Sequence, residues 1–109
     1  MAAYQEKQLF QVVGTGAAAT AYTKPADPTI AIVRTIFICN PTAGAINWSL
    51  YNDDNGAVYA NASALFVNIQ INANTTVELN TFVALSTASG TIGVTGNGLT
   101  FTGYGVEVG

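Results

Sequence analysis

Thr29-Ile30-Ala31-Ile32-Val33-Arg34-Thr35-Ile36-Phe37-Ile38-Cys39-Asn40 is the longest apolar run in the chain. Val, Ile, Thr and Phe dominate it, and Pro25, Pro28 and Pro41 bracket it, so it reads as one β-strand and not as a helix. In a regular pleat Ile30, Ile32, Ile36 and Ile38 share one face, while Ala31, Val33, Phe37 and Cys39 share the other. Both faces are then largely apolar, and such a strand needs cover on both sides. One side is the core of its own domain. A chain of 109 residues has little material for a third layer, so the other side is expected to meet a partner. Arg34 is the one charge in the run. Two readings of it stand: an ion pair, for which Glu78 is a reasonable partner, or a contact between subunits.

Outward from this strand the pattern is uniformly β. Residues 1–8 are mostly polar, repeat at no core-forming period and read as an arm that is ordered only against a partner; residues 9–109 read as a single domain. Residues 9–13 form a first strand ended by Gly14 and Gly16, and residues 18–23 give a short second piece. Lys24-Pro25-Ala26-Asp27-Pro28 is a rigid turn before the central strand. Ile46, Trp48 and Leu50 alternate with Asn47, Ser49 and Tyr51, which predicts a half-buried strand paired with the central one through a short loop. Leu65, Val67, Ile69 and Ile71 alternate with Phe66, Asn68 and Gln70. Val77 and Leu79 point inward and Glu78 outward, with a kink near Asn80 before residues 82–85. Residues 91–95 and 99–108 are expected as a hairpin around Gly96-Asn97-Gly98, since Asn-Gly tolerates positive φ. Leu99 and Phe101 differ in parity from Tyr104, Val106 and Val108, which predicts a bulge between Gly103 and Gly105. Eight to nine short strands without a helical window predict an all-β, antiparallel two-sheet sandwich of jelly-roll type, with an immunoglobulin-like sandwich as the alternative.

Composition narrows the function. Half the residues are hydrophobic and only 8% are charged, against about 25% in typical chains. Lys7, Lys24 and Arg34 are the only cations and the net charge is -3, so neutralising nucleic-acid phosphates is not expected. No apolar run approaches the roughly 18 residues of a membrane span, and residues 1–7 lack the order of a secretory signal, so synthesis in the host cytoplasm is expected. The chain has no histidine and one cysteine, Cys39. That removes His-based triads, the commonest general base and most catalytic zinc sites, and it excludes an internal disulfide. Cys39 reads as a small buried hydrophobe.

The remaining candidates for chemistry have plainer readings. Asp53, Asp54 and Asn55 offer oxygen ligands of the kind Ca²⁺ prefers, but Asp-Asn-Gly is also good turn chemistry. An Asp54/Glu78 carboxylate pair is conceivable for glycoside hydrolysis, although nothing brings the two together. Gly93-Val94-Thr95-Gly96-Asn97-Gly98 precedes a strand, so no helix N-terminus is available to hold a phosphate. Asn47, Asn61 and Asn74 begin glycosylation sequons that carry no meaning without a signal peptide. Trp48 has core parity. Tyr51, Tyr59 and Tyr104 are the candidates for an exposed aromatic binding face. No cofactor or metal is expected.

Three runs, Ala21-Tyr22-Thr23-Lys24-Pro25, Ala31 through Asn40 and Trp48-Ser49-Leu50-Tyr51, together with Ala73-Asn74-Thr75-Thr76-Val77-Glu78-Leu79-Asn80, resemble a recurring pattern in small virion proteins of tailed bacteriophages. The likeness covers roughly residues 20–108. It implies a β-sandwich module without enzymatic activity that sits on the capsid as a decoration (cement) protein, bound to the major capsid protein or another virion protein. The alternative it implies is a tail or fibre module that binds a host-surface carbohydrate. It also implies a homotrimer, and the second face of the central apolar strand, with Arg34, Val33 and Phe37, is expected at the seam between subunits.

Overall fold

Alternating apolar residues, interrupted by Gly, Asn and Pro turns, divide the chain into eight strands: β1 (Tyr4–Val13), β2 (Ala19–Thr23), β3 (Ile30–Asn40), β4 (Ile46–Asp53), β5 (Ala64–Ile71), β6 (Thr75–Leu85), β7 (Thr91–Thr95) and β8 (Thr100–Val108). A 3₁₀ turn at Asn61–Ser63 is the one helical element among the described residues. The computed structural model describes residues 4–109, with side chains from Glu6 onward.

The strands form two four-stranded sheets, ordered β1-β8-β3-β6 and β2-β7-β4-β5. All pairs are antiparallel, and every link between consecutive strands crosses from one sheet to the other except β4–β5, whose strands pair as neighbours in the second sheet. This is an eight-stranded jelly-roll sandwich. The expected pairing of β4 with β3 and the expected β7–β8 hairpin are therefore corrected. A tight turn reverses the chain, but the strand that receives it is chosen by burial. The Asn97-Gly98 turn is held instead by the β1–β2 loop, where Gly98 N donates to Gly14 O and Gly96 N to Thr15 O, both at 3.0 Å. β8, with Phe101 fully buried, takes a central place between β1 and β3.

The core between the sheets is built from Val33, Ile36, Ile38, Leu50, Ile71, Leu85, Ile92, Leu99 and Phe101, with Trp48 among them as expected. Phe66 packs on Trp48 with ring centroids 5.5 Å apart. Phe66 thus points inward, while Leu65 and Val67 are exposed, opposite to the expected alternation. The cause is a bulge: Asn68 adopts φ 52°, and its N–H donates to Ser49 Oγ at 3.0 Å.

Residues 4–8, expected to belong to a partner-dependent arm, pair with β8 from Tyr4 opposite Val108 to Gln8 opposite Tyr104. Backbone pairing explains why so polar a stretch is ordered within its own chain: an edge strand needs few apolar side chains when the ladder satisfies its amides. Residues 1–3 of that expected arm lie outside the described residues.

Two polar knots hold the loops. Lys24 is buried, and its ammonium donates to Pro25 O (2.7 Å), Thr29 O (2.6 Å) and Asp27 Oδ1 (3.0 Å). Asn40, fully buried, closes the β3–β4 link. Its Nδ2 faces the carbonyls of Gly44 (2.9 Å), Ile71 (3.2 Å) and Asn72 (3.2 Å), and its Oδ1 accepts from Thr42 N (3.0 Å) and Thr42 Oγ1 (2.6 Å).

At the β1/β2 edge, Glu107 accepts from the Lys7 ammonium (2.7 Å) and from the Tyr22 hydroxyl (2.5 Å). Burial alone would raise the Glu107 carboxyl, but Lys7 and Tyr22 outweigh it and hold the group below its usual range. Burial, and then the Glu107 carboxylate, push the Tyr22 phenol well above its ordinary value. The signs set both ends of a stability profile. A depressed carboxyl contributes stability above its unfolded value of about 4.3 that is lost as pH falls through the lower folded value. A raised phenol contributes fully below its unfolded value of about 10 and is lost as pH rises through the folded one. Glu107→Gln is expected to flatten both shoulders of the urea midpoint against pH. An unaltered profile in that variant would show that the cluster does not set it.

Candidate functional site

A line of irregular residues runs across the first sheet and shapes its outer face. On β3, Val33 lies opposite Gly105 and Thr35 opposite Tyr104, so Arg34 is an extra residue. Leu9 is extra on β1, and on β6 two residues, Thr81 and Phe82, oppose the single Arg34, since Val83 faces Val33 and Asn80 faces Thr35. The irregularity agrees with the kink expected near Asn80. The bulge expected between Gly103 and Gly105 is corrected: β8 pairs without an insertion, and its neighbours carry the extra residues.

Arg34 shifts the parity of β3. Ala31 and Val33 point to the core before it, and Ile36 and Ile38 after it, whereas a regular pleat set all four isoleucines together. Val33 is fully buried. Its place at an inter-subunit seam is therefore corrected, because a residue inside the sandwich reaches no partner. Arg34 and Phe37 are exposed on the outer face. Cys39, expected in the core, is half-buried on that outer side, opposite Thr76 and Thr100.

The outer face combines apolar patches with a hollow. Phe82 is 68% exposed, Val13 65%, and Ile30 and Tyr104 each 42%. Phe37 and Tyr104 meet edge to face, with ring centroids 6.0 Å apart. Beside them, a depression of about 560 Å³ is lined by Glu6, Lys7, Gln8, Arg34, Thr35, Tyr104 and Gly105. Gly105 forms part of its wall, and the bulges around it open the space.

The three tyrosines separate. Tyr51 and Tyr59 stack on the second sheet with centroids 5.8 Å apart. Tyr59 donates to Thr91 Oγ1 at 2.8 Å, shares a 2.6 Å hydrogen bond with Thr20 Oγ1, and lies over Gly93 where a side chain would stand. Its hydroxyl and ring are engaged in holding the β4–β5 loop. Tyr104 alone of the three stands exposed beside a hollow.

The acidic candidates are occupied by turns. Asp53 accepts from Val58 N (2.9 Å) and Asn55 N (3.0 Å), which hold its carboxyl below the usual range. Asp54 accepts from Ser86 N at 3.0 Å. Among the described residues no cluster of acids and cysteine has the makings of a metal site. Glu78 lies opposite Phe37 on the outer face of the first sheet, and neither it nor any other acid makes an ion pair with Arg34 among the described residues.

Sequence reasoning missed Glu6, Gln8 and Phe82 as members of this surface. Residues 1–8 read as an arm, and residues 82–85 read only as a continuation after the kink near Asn80, with no face assigned to Phe82. The ring points outward because the alternation of Val77 and Leu79 continues unbroken to Val83 and Leu85, which leaves Phe82 on the opposite face.

No protein-family model matches the sequence, and no curated protein matches it either. Solved structures match by fold. The chain is similar to a protein of the T13 particle of infectious bursal disease virus, with TM-score 0.53 and 9% identity over 98% of this chain and 30% of that one. It is similar to the protein of the T=1 particles derived from that virus, with TM-score 0.52 and 9% identity over 98% of this chain and 31% of the other. A point variant of the VP2 protein in T=1 particles matches at TM-score 0.52 and 9% identity, with the same coverage. The chain spans about a third of the length of these proteins, and the likeness is one of β-sandwich fold.

Proposed function

We propose that this chain is a non-enzymatic structural protein of a virus particle: a decoration (cement) protein of a tailed-phage head that works as a homotrimer and reinforces the shell from its outer surface. The observation that carries this reading is the outer face of the first sheet, where Ile30, Phe37, Phe82 and Tyr104 stand exposed around Arg34. Soluble monomers seldom leave contiguous apolar surface of this kind uncovered, and a closed ring of subunits hides it without leaving an edge for further growth. The jelly-roll fold, shared with components of viral particles, is consistent with it.

Purified protein mixed with undecorated, expanded phage heads is expected to bind saturably at symmetric positions, as seen in a low-resolution density map. In free solution it is expected to sediment at three times its chain mass of 11.3 kDa. Absence of symmetric occupancy on heads, combined with glycan-array binding that Tyr104→Ala abolishes, would instead support the tail or fibre reading, which the exposed Tyr104 favours.

A further inference from the structure

The nine charged side chains divide into two groups. Six are satisfied within the chain: Lys7 with Glu107 at 2.7 Å, Lys24 with Asp27 at 3.0 Å, Asp53 by the Asn55 and Val58 amides, and Asp54 by the Ser86 amide. Glu6, Arg34 and Glu78 make no ion pair or side-chain hydrogen bond among the described residues. All three lie on the outer face of the first sheet. Glu6 is opposite Val106, Glu78 is opposite Phe37, and Arg34 is the inserted residue of β3. The unused charges therefore share one surface with the exposed Phe37, Phe82 and Tyr104.

This distribution restricts what can cover the face. A guanidinium closed off among apolar side chains needs a carboxylate opposite it, and a covered carboxylate needs a cation. A second copy of this chain brings both, together with matching apolar surface. It also brings a shape: Phe82 projects from the edge strand β6 four residues from Glu78, and the depression beside Arg34 is a hollow on the β1–β8–β3 side. We propose that the outer face of the first sheet is covered by another copy of the chain, with Arg34 of one copy paired with Glu78 of the next and Phe82 seated against the neighbour's hollow. Knob and hollow occupy different parts of this face, so the contact is heterologous and repeats head to tail, and the proposed assembly is the ring that closes it.

The proposal rests on the reading of the chain as self-associating and is independent of attachment to a head. Its test is made on the purified full chain without virus particles. Sedimentation equilibrium of Arg34→Glu and of Glu78→Arg is expected to show association weakened by about 30-fold or more, the usual consequence of setting like charges against each other in a closed contact. The double variant is expected to recover association. Circular dichroism checks the β-fold of each, and Arg34→Gln, which removes the charge without reversing it, is expected to weaken association to a lesser degree. A monomeric unmodified protein, single variants that associate normally, or a double variant that stays dissociated while folded would each overturn the pairing. Recovery in the double variant together with no binding to heads would leave this interface standing and refute the capsid reading instead.

Discussion

Gly105→Ala is expected to lower the free energy of unfolding by about 3 kcal/mol or more, a large share of the roughly 5 to 15 kcal/mol that stabilises a domain of this kind. Gly105 sits in the central strand β8, opposite Lys7 of β1 and Val33 of β3. A Cβ at this position would collide with the carbonyl oxygen of Ile32 and press on Leu9 Cδ1 at 3.0 Å. A flexible side chain could move aside, but this carbonyl belongs to a strand paired on both sides. Relief would require parting β3 from β8, which carries the fully buried Phe101. Gly16→Ala provides the control, because nothing lies within 4 Å of a Cβ there, and its effect is expected to stay within about 0.5 kcal/mol. Equal urea midpoints for the two variants would refute the account. The same substitution also fills a wall of the depression beside Arg34, so any Gly105→Ala protein that folds is expected to associate less well.

Asn40→Asp is the second change with a large expected effect, about 3 kcal/mol at neutral pH. The side chain is nearly isosteric, so packing is preserved and the change is electrostatic. Asn40 Nδ2 faces three carbonyl oxygens, of Gly44, Ile71 and Asn72, and a carboxylate would set a buried negative charge against them. Oδ1 would keep its two donors from Thr42, which offsets only part of that cost. A buried carboxylate facing acceptors titrates above its unfolded value, so the neutral form is favoured in the fold and the variant regains stability as pH falls. The difference in urea midpoint between the unmodified protein and Asn40→Asp is therefore expected to shrink below about pH 4, where the carboxyl donates one hydrogen bond. A difference that does not vary with pH would point to misplaced packing.

Both variants act at positions whose importance is invisible along the chain. Gly105 reads in the sequence as one of a pair of bulge glycines, and Asn40 as the end of an apolar strand followed by a turn. Their roles depend on the Ile32 carbonyl, 73 residues from Gly105, and on the Ile71 and Asn72 carbonyls, 31 and 32 residues from Asn40.

The sequence by itself determined that the protein is all β, where most strands lie, and that Trp48, Leu50 and Ile38 are core. These follow from β-branched composition, period-two alternation and Gly, Asn and Pro turns, all of which act between near neighbours. It also determined that the central strand is apolar on both sides, since that is a count of side chains. Which strands pair was decided only by the tertiary structure. Each turn reverses the chain with the same local chemistry whether the next strand joins the same sheet or the opposite one, and here every link but β4–β5 crosses. The outward faces were decided there as well. The irregularities at Arg34, Leu9 and Thr81-Phe82 are accommodated jointly by adjacent strands, and the single insertions at Arg34 and Leu9 flip the parity beyond them. Val33 was thereby moved into the core, and Glu6 and Arg34 were brought onto one face with Glu78.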